Sequence, residues 1–253
     1  MHRALSRKRK TNSVFVDNPM IVTIDGPAGA GKSSAARLLA RRLGFDFLDT
    51  GAMYRAVTVQ GLRCNCNFTN ETDLAKLLAD VRLELPGDRV LLNDEDISAL
   101  IRTPEITSAS GPVASSKVVR TKLVEWQRQI ADGRDIVCEG RDQGTIAFPR
   151  AECKFFLFAD PVERARRRHR ELEANGQTIS FDEILHAQQA RDARDAARDI
   201  APMVAAGDAI KLDNTQYTLD EVVDKMERIV RERIPRCEPT SDGRTPSRSR
   251  VQL

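Results

Sequence analysis

The chain has 253 residues, 41% of them apolar and 30% charged, and its formal net charge is +3. That length can bury a sizeable hydrophobic core, and the apolar fraction excludes intrinsic disorder of the chain as a whole. No apolar run reaches the roughly 18 residues that a membrane-spanning helix needs, and no apolar segment follows the basic N-terminus, so we expect a cytoplasmic protein without a secretory signal.

The positive charge lies at the two ends of the sequence. Residues 1–10 carry five basic residues and no acidic one, and residues 236–253 carry four arginines against two acidic residues. Neither end has the apolar periodicity of a packed element, so we expect a disordered basic arm over residues 1–18 and a disordered tail over 236–253. Nucleic acid would bind only weakly, through these ends. The five cysteines follow no metal-binding pattern, and we expect free thiols.

Short apolar segments between the two ends are predicted to be strands. They span residues 20–25, 45–49, 135–139, 153–159 and 209–213. A helix over 33–43, closed by Gly44, follows the first strand, and a capping box of Thr218 and Glu221 begins the last helix. Because continuous apolar strands that alternate with helices are typical of a parallel sheet covered on both faces, the pattern predicts an α/β fold of three layers.

One region interrupts this alternation. Residues 81–85 and 89–93 flank Pro86, Gly87 and Asp88, which predicts a small hairpin. We therefore expect residues 65–115 to form an insertion that folds onto one side of the sheet.

A glycine-rich motif joins the first predicted strand to the first predicted helix. Residues 26–33 match G-x-x-x-x-G-K-[ST] in full. Glycines let backbone N–H groups surround phosphate oxygens, and the helix N-terminus adds unpaired donors and partial positive charge. The lysine reaches the β- and γ-phosphates, and the serine hydroxyl can bind Mg²⁺. The predicted ATP-binding residues here are Gly26, Pro27, Ala28, Gly29, Ala30, Gly31, Lys32, Ser33 and Ser34.

This motif alone leaves three classes of protein open: a nucleotide or small-molecule kinase, a GTP-binding switch, and a motor or transport ATPase. No asparagine in the sequence is followed by lysine, so the Asn-Lys-x-Asp signature of guanine recognition is missing. A motor ATPase would usually be longer or carry additional sensor elements. A kinase needs a second substrate site and mobile arginines, and further segments offer both.

Polar residues follow the second and third predicted core strands. Thr50 and Arg55 place a hydroxyl and a guanidinium at the carboxyl edge of the sheet, where α/β proteins bind ligands; the alternative is a helix cap and a surface arginine. Glu139, Arg141 and Asp142 follow the next strand. Glu139 can hold Mg²⁺ or a water bound to it, whereas Arg141 and Asp142 can bind the phosphate and base edge of an acceptor.

Two helices rich in arginine are predicted after the fourth strand. The first begins at Pro161, the second is capped by Ser180 and Glu183, and Asn175-Gly176 between them would let the pair act as a hinged flap. Phosphoryl transfer spreads negative charge over the moving group, and a flap can bring in cations after the substrates bind. The alternative is a pair of solvated faces with Asp–Arg pairs. The first helix carries Arg164 and Arg167, and the second is predicted to carry Arg191, Asp195 and Arg198 on one face.

Taken together, these segments resemble the bacterial-type cytidylate kinases over about residues 20–234. The resemblance is carried by residues 24–33, by Leu-Asp-Thr-Gly-Ala-Met-Tyr-Arg at 48–55, by Ile-Arg-Thr-Pro-Glu at 101–105, by Gly-Arg-Asp-Gln-Gly-Thr at 140–145, by Arg-Asp-Ala-Arg-Asp at 191–195 and by Ala-Pro-Met at 201–203. It implies a P-loop kinase domain over 19–235 with a five-stranded parallel sheet, in which the insertion binds the nucleoside monophosphate and a helical lid spans about 162–198. It implies transfer of the γ-phosphoryl group of ATP to CMP or dCMP with Mg²⁺, and we expect a monomer. The alternatives are another monophosphate kinase and a P-loop regulatory or nucleic-acid-binding protein.

The resemblance also assigns residues to the substrates. It implies that Lys32, Arg141, Arg191 and Arg198 assist transfer, that Arg164 and Arg167 contact ATP, and that Ser33 and Glu139 hold Mg²⁺. The residues implied for CMP are Thr50, Arg55, Ser110, Gly111, Arg120, Arg141, Asp142, Arg191, Asp195 and Arg198. Among them, Arg55, Arg141 and Arg191 would hold the phosphate, Asp195 the ribose, and Arg141 and Asp142 the base. Gly111 departs from the family, which often has a base-contacting serine there; Ser110 or a water would take its place.

Overall fold

The computed structural model describes residues 19–174 and 176–234. Its strands are β1 (Ile21–Asp25), β2 (Asp46–Asp49), β3 (Leu83–Glu84), β4 (Leu91–Leu92), β5 (Glu95–Asp96), β6 (Ile136–Glu139), β7 (Cys153–Phe158) and β8 (Ile210–Asp213). Its helices are α1 (Lys32–Leu43), α2 (Thr50–Arg63), α3 (Glu71–Ala79), α4 (Pro104–Ser115), α5 (Lys117–Ala131), α6 (Pro161–Ala174), α7 (Phe181–Ala196) and α8 (Leu219–Arg233). A 3₁₀ turn spans Leu100–Arg102 and a π-helical turn spans Gln143–Ala147.

Five of these strands form the parallel sheet that the sequence predicts. Their order is β2-β6-β1-β7-β8, so β1 lies in the centre. Ile24 of β1 and Asp49 of β2 both pair with Glu139 of β6, which brings the carboxyl ends of these three strands to one edge. Ligands of open α/β sheets bind at this edge.

Helices cover both faces of the sheet, which confirms the three layers. On one face, Leu39 of α1 and Met226 of α8 pack with Ile24 in a buried cluster. On the other face, Met53 of α2 and Leu123 of α5 pack with strand residues in a second cluster. Full burial of each such side chain contributes roughly 1.5–3 kcal/mol, so these two clusters hold the helices against the sheet.

The helix ends follow the predicted signals. Gly44 closes α1 with a left-handed φ of 71°, and its N–H donates to the carbonyl groups of Ala40 and Arg41. Thr218 and Glu221 form the predicted capping box of α8, and Ser180 and Glu183 form that of α7. α6 begins at Pro161 as expected. Asn175, the first residue of the predicted hinge, lies outside the described residues, as do the predicted arm at 1–18 and tail at 236–253.

The region between α2 and α5 contains the predicted hairpin and one strand more. β3, β4 and β5 form a separate antiparallel sheet in that order. Asn93 and Asp94 have φ values of 50° and 70°, which is the backbone of a tight two-residue turn, and this turn joins β4 to the additional strand β5. Leu92 and Ile101 pack with Ala56 of α2 in a third cluster, which attaches the small sheet to the core.

Cys138 and Cys153 are buried free thiols on the two strands that flank β1, and Cys64 and Cys66 are also free. Within the described ranges, no helix is both long enough and apolar enough to cross a membrane.

Candidate active site

The glycine-rich loop lies between β1 and α1, in the context that its motif requires. Gly26 has a φ of +143°, and a Cβ there would lie 1.9 Å from the carbonyl oxygen of Leu157, so only glycine fits. The Nζ of Lys32 donates to the carbonyl oxygen of Pro27 at 2.7 Å and so spans the loop. Asn214, after β8, supports the loop by donating to the carbonyl oxygen of Ala30 at 2.7 Å.

Lys32 is a buried cation at the start of α1. The residue is only 5% exposed to solvent. Burial lowers the pKa of Lys32, the charge of Arg141 lowers it further, and the carboxylate of Glu139 opposes both. The lysine is therefore short of compensating negative charge, which a bound phosphate would supply.

Two carboxylates stand opposite Lys32 at the sheet edge. Asp49 and Glu139 are register partners at the ends of β2 and β6. Burial raises the pKa of Glu139, and the nearby charge of Asp49 raises it further. Ser33 Oγ donates to Glu139 Oε1, and the Thr50 hydroxyl donates to the carbonyl oxygen of Glu139 at 2.6 Å. Hard oxygen ligands whose charges repel one another suit Mg²⁺, so the residues present fit this ion.

Asp49, and not Thr50, caps α2, because its side chain accepts the N–H of Ala52. The helix-cap alternative for Thr50 is therefore wrong.

Arginines from three parts of the chain meet beside these carboxylates. Arg55 Nη2 lies 3.3 Å from Asp49 Oδ2, and its buried Nε has no hydrogen-bond partner in the part of the chain that the structure describes. Burial lowers the pKa of Arg191 to about 10, and the charges of Arg141 and Arg55 contribute to this lowering. The three predicted phosphate-holding arginines thus lie within range of one another. A cleft of about 560 Å³, lined in part by Ser33, Ser34, Asp49, Arg55 and Arg102, opens next to them.

Asp195 joins two of the predicted substrate residues. It accepts from Arg141 Nε at 3.0 Å and forms an ion pair with Arg198. Arg198 does not lie on α7 as the sequence predicts, because the helix ends at Ala196 and is capped by Ala197. Although Arg198 lies beyond the end of the helix, its guanidinium still pairs with Asp195, three residues earlier in the chain.

Arg120 and Asp142 form a buried ion pair within range of Asp195 and Arg198. Their side chains are 5% and 6% exposed, and Arg120 Nη1 also donates to the carbonyl oxygen of Ala114 at 2.9 Å. Arg120 lies over the ring of Tyr54, whose pKa burial raises to about 12. Asp142 is thereby fixed at the end of β6, next to Arg141.

Asp25 is a site residue that the sequence reasoning missed. Its carboxylate accepts the N–H groups of Gln143 and Gly144 at 2.9 and 2.7 Å, which ties the π-helical turn after Asp142 to the end of β1. Burial raises the pKa of Asp25 to about 6, against the lowering effect of these two hydrogen bonds. A carboxylate that ends an otherwise apolar strand, just before the glycine-rich motif, was the signal for it.

Ser110 and Gly111 lie within α4. The Ser110 hydroxyl donates to the carbonyl oxygen of Thr107 at 2.8 Å, within its own helix. A Cβ on Gly111 would lie 3.1 Å from Arg194 Nη1 of α7, so this arginine covers the helix where a side chain would project. The predicted contacts of Ser110 and Gly111 with a base stay predictions.

Arg164 and Arg167 are engaged by protein groups. Arg164 Nη1 donates to the carbonyl oxygen of Ala28 at 2.6 Å. Arg167 donates to the carbonyl oxygens of Asn214 and Thr215 at 2.8 and 3.0 Å. Both arginines thus border the loop from α6, and their contacts with ATP stay predictions.

Comparison with known proteins gives a consistent result. Residues 22–232 match the family model described as cytidylate kinase. A cytidylate kinase of Rhodopirellula baltica is 49% identical over 213 residues, which cover 84% of this chain and 93% of that protein. A cytidylate kinase of Carboxydothermus hydrogenoformans is 46% identical, covering 83% of this chain and 97% of that protein. One of Geobacter sulfurreducens is 45% identical, covering 85% and 94%.

Proposed function

This chain belongs to the cytidylate kinase family, and from that membership we propose that it transfers the γ-phosphoryl group of ATP to CMP or dCMP, giving CDP or dCDP. The observation that carries the proposal is the meeting of Lys32 from the ATP loop with Arg141 and Arg191 at one sheet edge. An enzyme that joins two phosphates needs cations between a donor site and an acceptor site, and these three residues supply them.

Transfer proceeds in line between the two substrates, without a covalent enzyme intermediate. The backbone of the loop holds the β-phosphate and Lys32 bridges to the γ-phosphate. Arg55, Arg141 and Arg191 hold the acceptor phosphate, whose charge relieves the repulsion among them. The protein contributes position and charge, since phosphoryl transfer needs little covalent chemistry from the enzyme.

Acceptor recognition falls to residues around the end of β6. Asp142, fixed by Arg120, presents an acceptor to the amino group of cytosine, and Arg141 presents donors. Asp195, fixed by Arg141 and Arg198, accepts from the ribose hydroxyl groups. Ser110 and Gly111 border the base from α4. Arg141 therefore serves both the phosphate and the base.

Ser33 and Glu139 would hold Mg²⁺. When bound, this ion would offset the charge of the phosphates. Its effect on the protein is that the buried carboxylates of Glu139 and Asp49 no longer repel each other without compensation. We also propose that the protein acts as a monomer in the cytoplasm, with the kinase domain over 19–235, the monophosphate-binding insertion over 65–115, the lid over 162–198, and no part in transfer for residues 1–18 and 236–253.

The experiment is a coupled assay of purified protein with ATP and a panel of monophosphates. We expect kcat/KM for CMP and dCMP to exceed that for UMP, AMP and GMP by at least ~10²-fold, because a base that leaves Asp142 and Arg141 unpaired is rejected strongly. UMP should be the best of the other three. Equal kcat/KM for CMP and UMP would contradict the proposal and indicate a kinase for pyrimidine monophosphates in general.

A further inference from the structure

One carboxylate ties helix α7 to the ATP loop. Asp192 Oδ1 accepts the backbone N–H of Ala28 at 2.9 Å, and Asp192 Oδ2 accepts from Arg164 Nη1 at 2.6 Å. We infer that Asp192 is a positioning residue for phosphoryl transfer, which docks α7 on the ATP loop so that Arg191 and Asp195 face the acceptor phosphate. The inference rests on the proposed function for the reaction that it serves.

The contact is closed on all sides. Arg164 Nη1 also donates to the carbonyl oxygen of Ala28 at 2.6 Å, and Arg164 Nε donates to that of Ala159 at 3.1 Å. Ala28 therefore has both of its backbone polar groups bound, one by α7 and the other by α6. The side chains of Arg164 and Asp192 are only 5% and 16% exposed. Hydrogen bonds between charged groups at this burial are strong.

A second residue on the same face of α7 lies against the loop. Gln188 lies one turn before Asp192, and its Nε2 would be 2.8 Å from a Cβ at Gly29, whose φ is +73°. Glycine at this position therefore allows the helix to approach the loop closely. Residues four apart lie on one face of a helix, so Gln188 and Asp192 both point toward the loop.

The arginines explain why an anchor is needed. Arg191 directly precedes Asp192, and its charge is disfavoured by burial and by Arg141 and Arg55. While no phosphate is bound, this repulsion works against the attraction between Asp195 of α7 and Arg141. Asp192 opposes the repulsion in two ways, because its charge favours that of Arg191 and its carboxylate binds the backbone N–H of Ala28. It acts through the position of Arg191 and Asp195 and not by touching a substrate.

The test compares Asp192→Ala and Asp192→Asn with Asp199→Asn as the matched control. Asp199 is exposed, and it forms no hydrogen bond or ion pair with the residues described here, so its substitution removes the same charge and no contact. We expect Asp192→Ala to lower kcat at least ~10-fold while KM for CMP changes less than about 3-fold. Asn keeps one acceptor for Ala28 and loses the one for Arg164, so Asp192→Asn should fall between. Asp199→Asn should match the wild type.

A second readout does not depend on activity. Amide hydrogen exchange without substrates should be at least ~10-fold faster for Ala28 and for the peptides of α7 in Asp192→Ala, and unchanged in Asp199→Asn. If wild-type protein does not phosphorylate CMP, the proposed function fails, and the exchange result still decides whether Asp192 holds the helix.

Two outcomes would overturn the inference. One is unchanged exchange at Ala28 in Asp192→Ala, which would show that the carboxylate holds nothing. The other is a lower melting temperature with unchanged kcat and KM, which would make the role purely structural. If Asp192→Ala does not fold, Arg164→Lys keeps a cation but loses the guanidinium whose Nε donates to Ala159 while its Nη1 donates to Ala28 and Asp192. The same faster exchange at Ala28 and in α7 is then expected.

Discussion

Arg141 lies close enough to Lys32 that, after burial, its charge is the largest cause of the lowered pKa of that lysine. One residue belongs to the ATP loop and the other follows the neighbouring strand β6. The ligand-free protein therefore holds two cations together at a cost in free energy. Anionic substrates remove this cost when they bind. The two cations stabilise the transition state most, because negative charge is then shared between the donor and acceptor phosphates.

Lys32→Ala should therefore impair turnover without impairing folding. We expect kcat to fall by ~10²-fold or more, because the lost charge stabilises the phosphoryl group in the transition state of transfer. The melting temperature should change little, since the lost hydrogen bond to Pro27 is offset by removal of a desolvated ammonium near Arg141. Lys76→Ala, an exposed lysine of α3, is the control. Near-normal turnover of Lys32→Ala would mean that the loop binds nucleotide but does not drive transfer.

Gly111 offers a test of base recognition. Glycine inside a helix costs roughly 0.5–1 kcal/mol relative to alanine, so both Gly111→Ala and Gly111→Ser should gain about 0.5 kcal/mol in urea unfolding. The tip of Arg194, 3.1 Å from the new Cβ, can move aside because it is the end of a long side chain. Only serine adds a hydroxyl at the position predicted to contact the base. We expect Gly111→Ser alone to raise the CMP-to-UMP ratio of kcat/KM, by about 3-fold or more; the same ratio in both variants would exclude a role for this position in base recognition.

The buried pair of Arg120 and Asp142 should make Asp142 costly to remove. Asp142→Ala leaves the guanidinium of Arg120 without its partner inside the protein, and we expect a loss of about 3 kcal/mol in the free energy of unfolding. The double variant Arg120→Met, Asp142→Leu should recover much of that loss, since two apolar groups need no compensation. Glu125→Ala, which breaks an exposed pair with Lys122, should cost less than about 0.5 kcal/mol. Equal costs for Asp142→Ala and Glu125→Ala in chemical denaturation would contradict the buried pairing.

Asp25 gives the free energy of unfolding a pH dependence of known sign. Burial raises its pKa from the ordinary 3.8 to about 6, so the folded protein binds a proton that the unfolded chain has released between these values. The contribution of Asp25 to stability is therefore present at pH 4 and is lost as the pH rises to about 6, by on the order of 2–3 kcal/mol. The check is the difference between wild type and Asp25→Asn in denaturant unfolding from pH 4 to 7. We expect the free energy of unfolding of the wild type minus that of Asp25→Asn to fall over this range, whereas a rise would show that the charged form is the favoured one.

The sequence predicted the large sheet well because each strand signal is local. Continuous apolar runs and the capping residues Gly44, Thr218 and Ser180 act over a few neighbours, and all of them do in the structure what they indicate. Strand β5 was missed because two polar residues, Glu95 and Asp96, carry no apolar pattern. The turn residues Asn93 and Asp94 were the available signal for β5. They indicate a hairpin only once the segment before them, β4, is recognised as a strand.

The sequence predicted the parts of the site that lie in local motifs. It missed the parts that depend on contacts between residues far apart in the chain. The loop and the arginines are visible as spacings. The bond between Ala28 and Asp192 joins residues 164 positions apart, and no local pattern reports it. Arg198 shows the limit of periodicity, because i, i+4, i+7 spacing extends the helix two residues too far and still finds the correct partner in Asp195.

The two buried thiols on the strands beside β1, Cys138 and Cys153, allow the opening of the sheet to be measured by their alkylation. Burial raises the pKa of Cys153 to about 11 and that of Cys138 further, so almost no thiolate exists at neutral pH, and neither sulfur is open to a reagent. Alkylation of either residue has to wait until the central strands separate, whereas Cys64 on the surface reacts at once. The rate of the slow phase then measures how often the sheet opens in the native protein, and a bound substrate that stabilises the fold lengthens that wait.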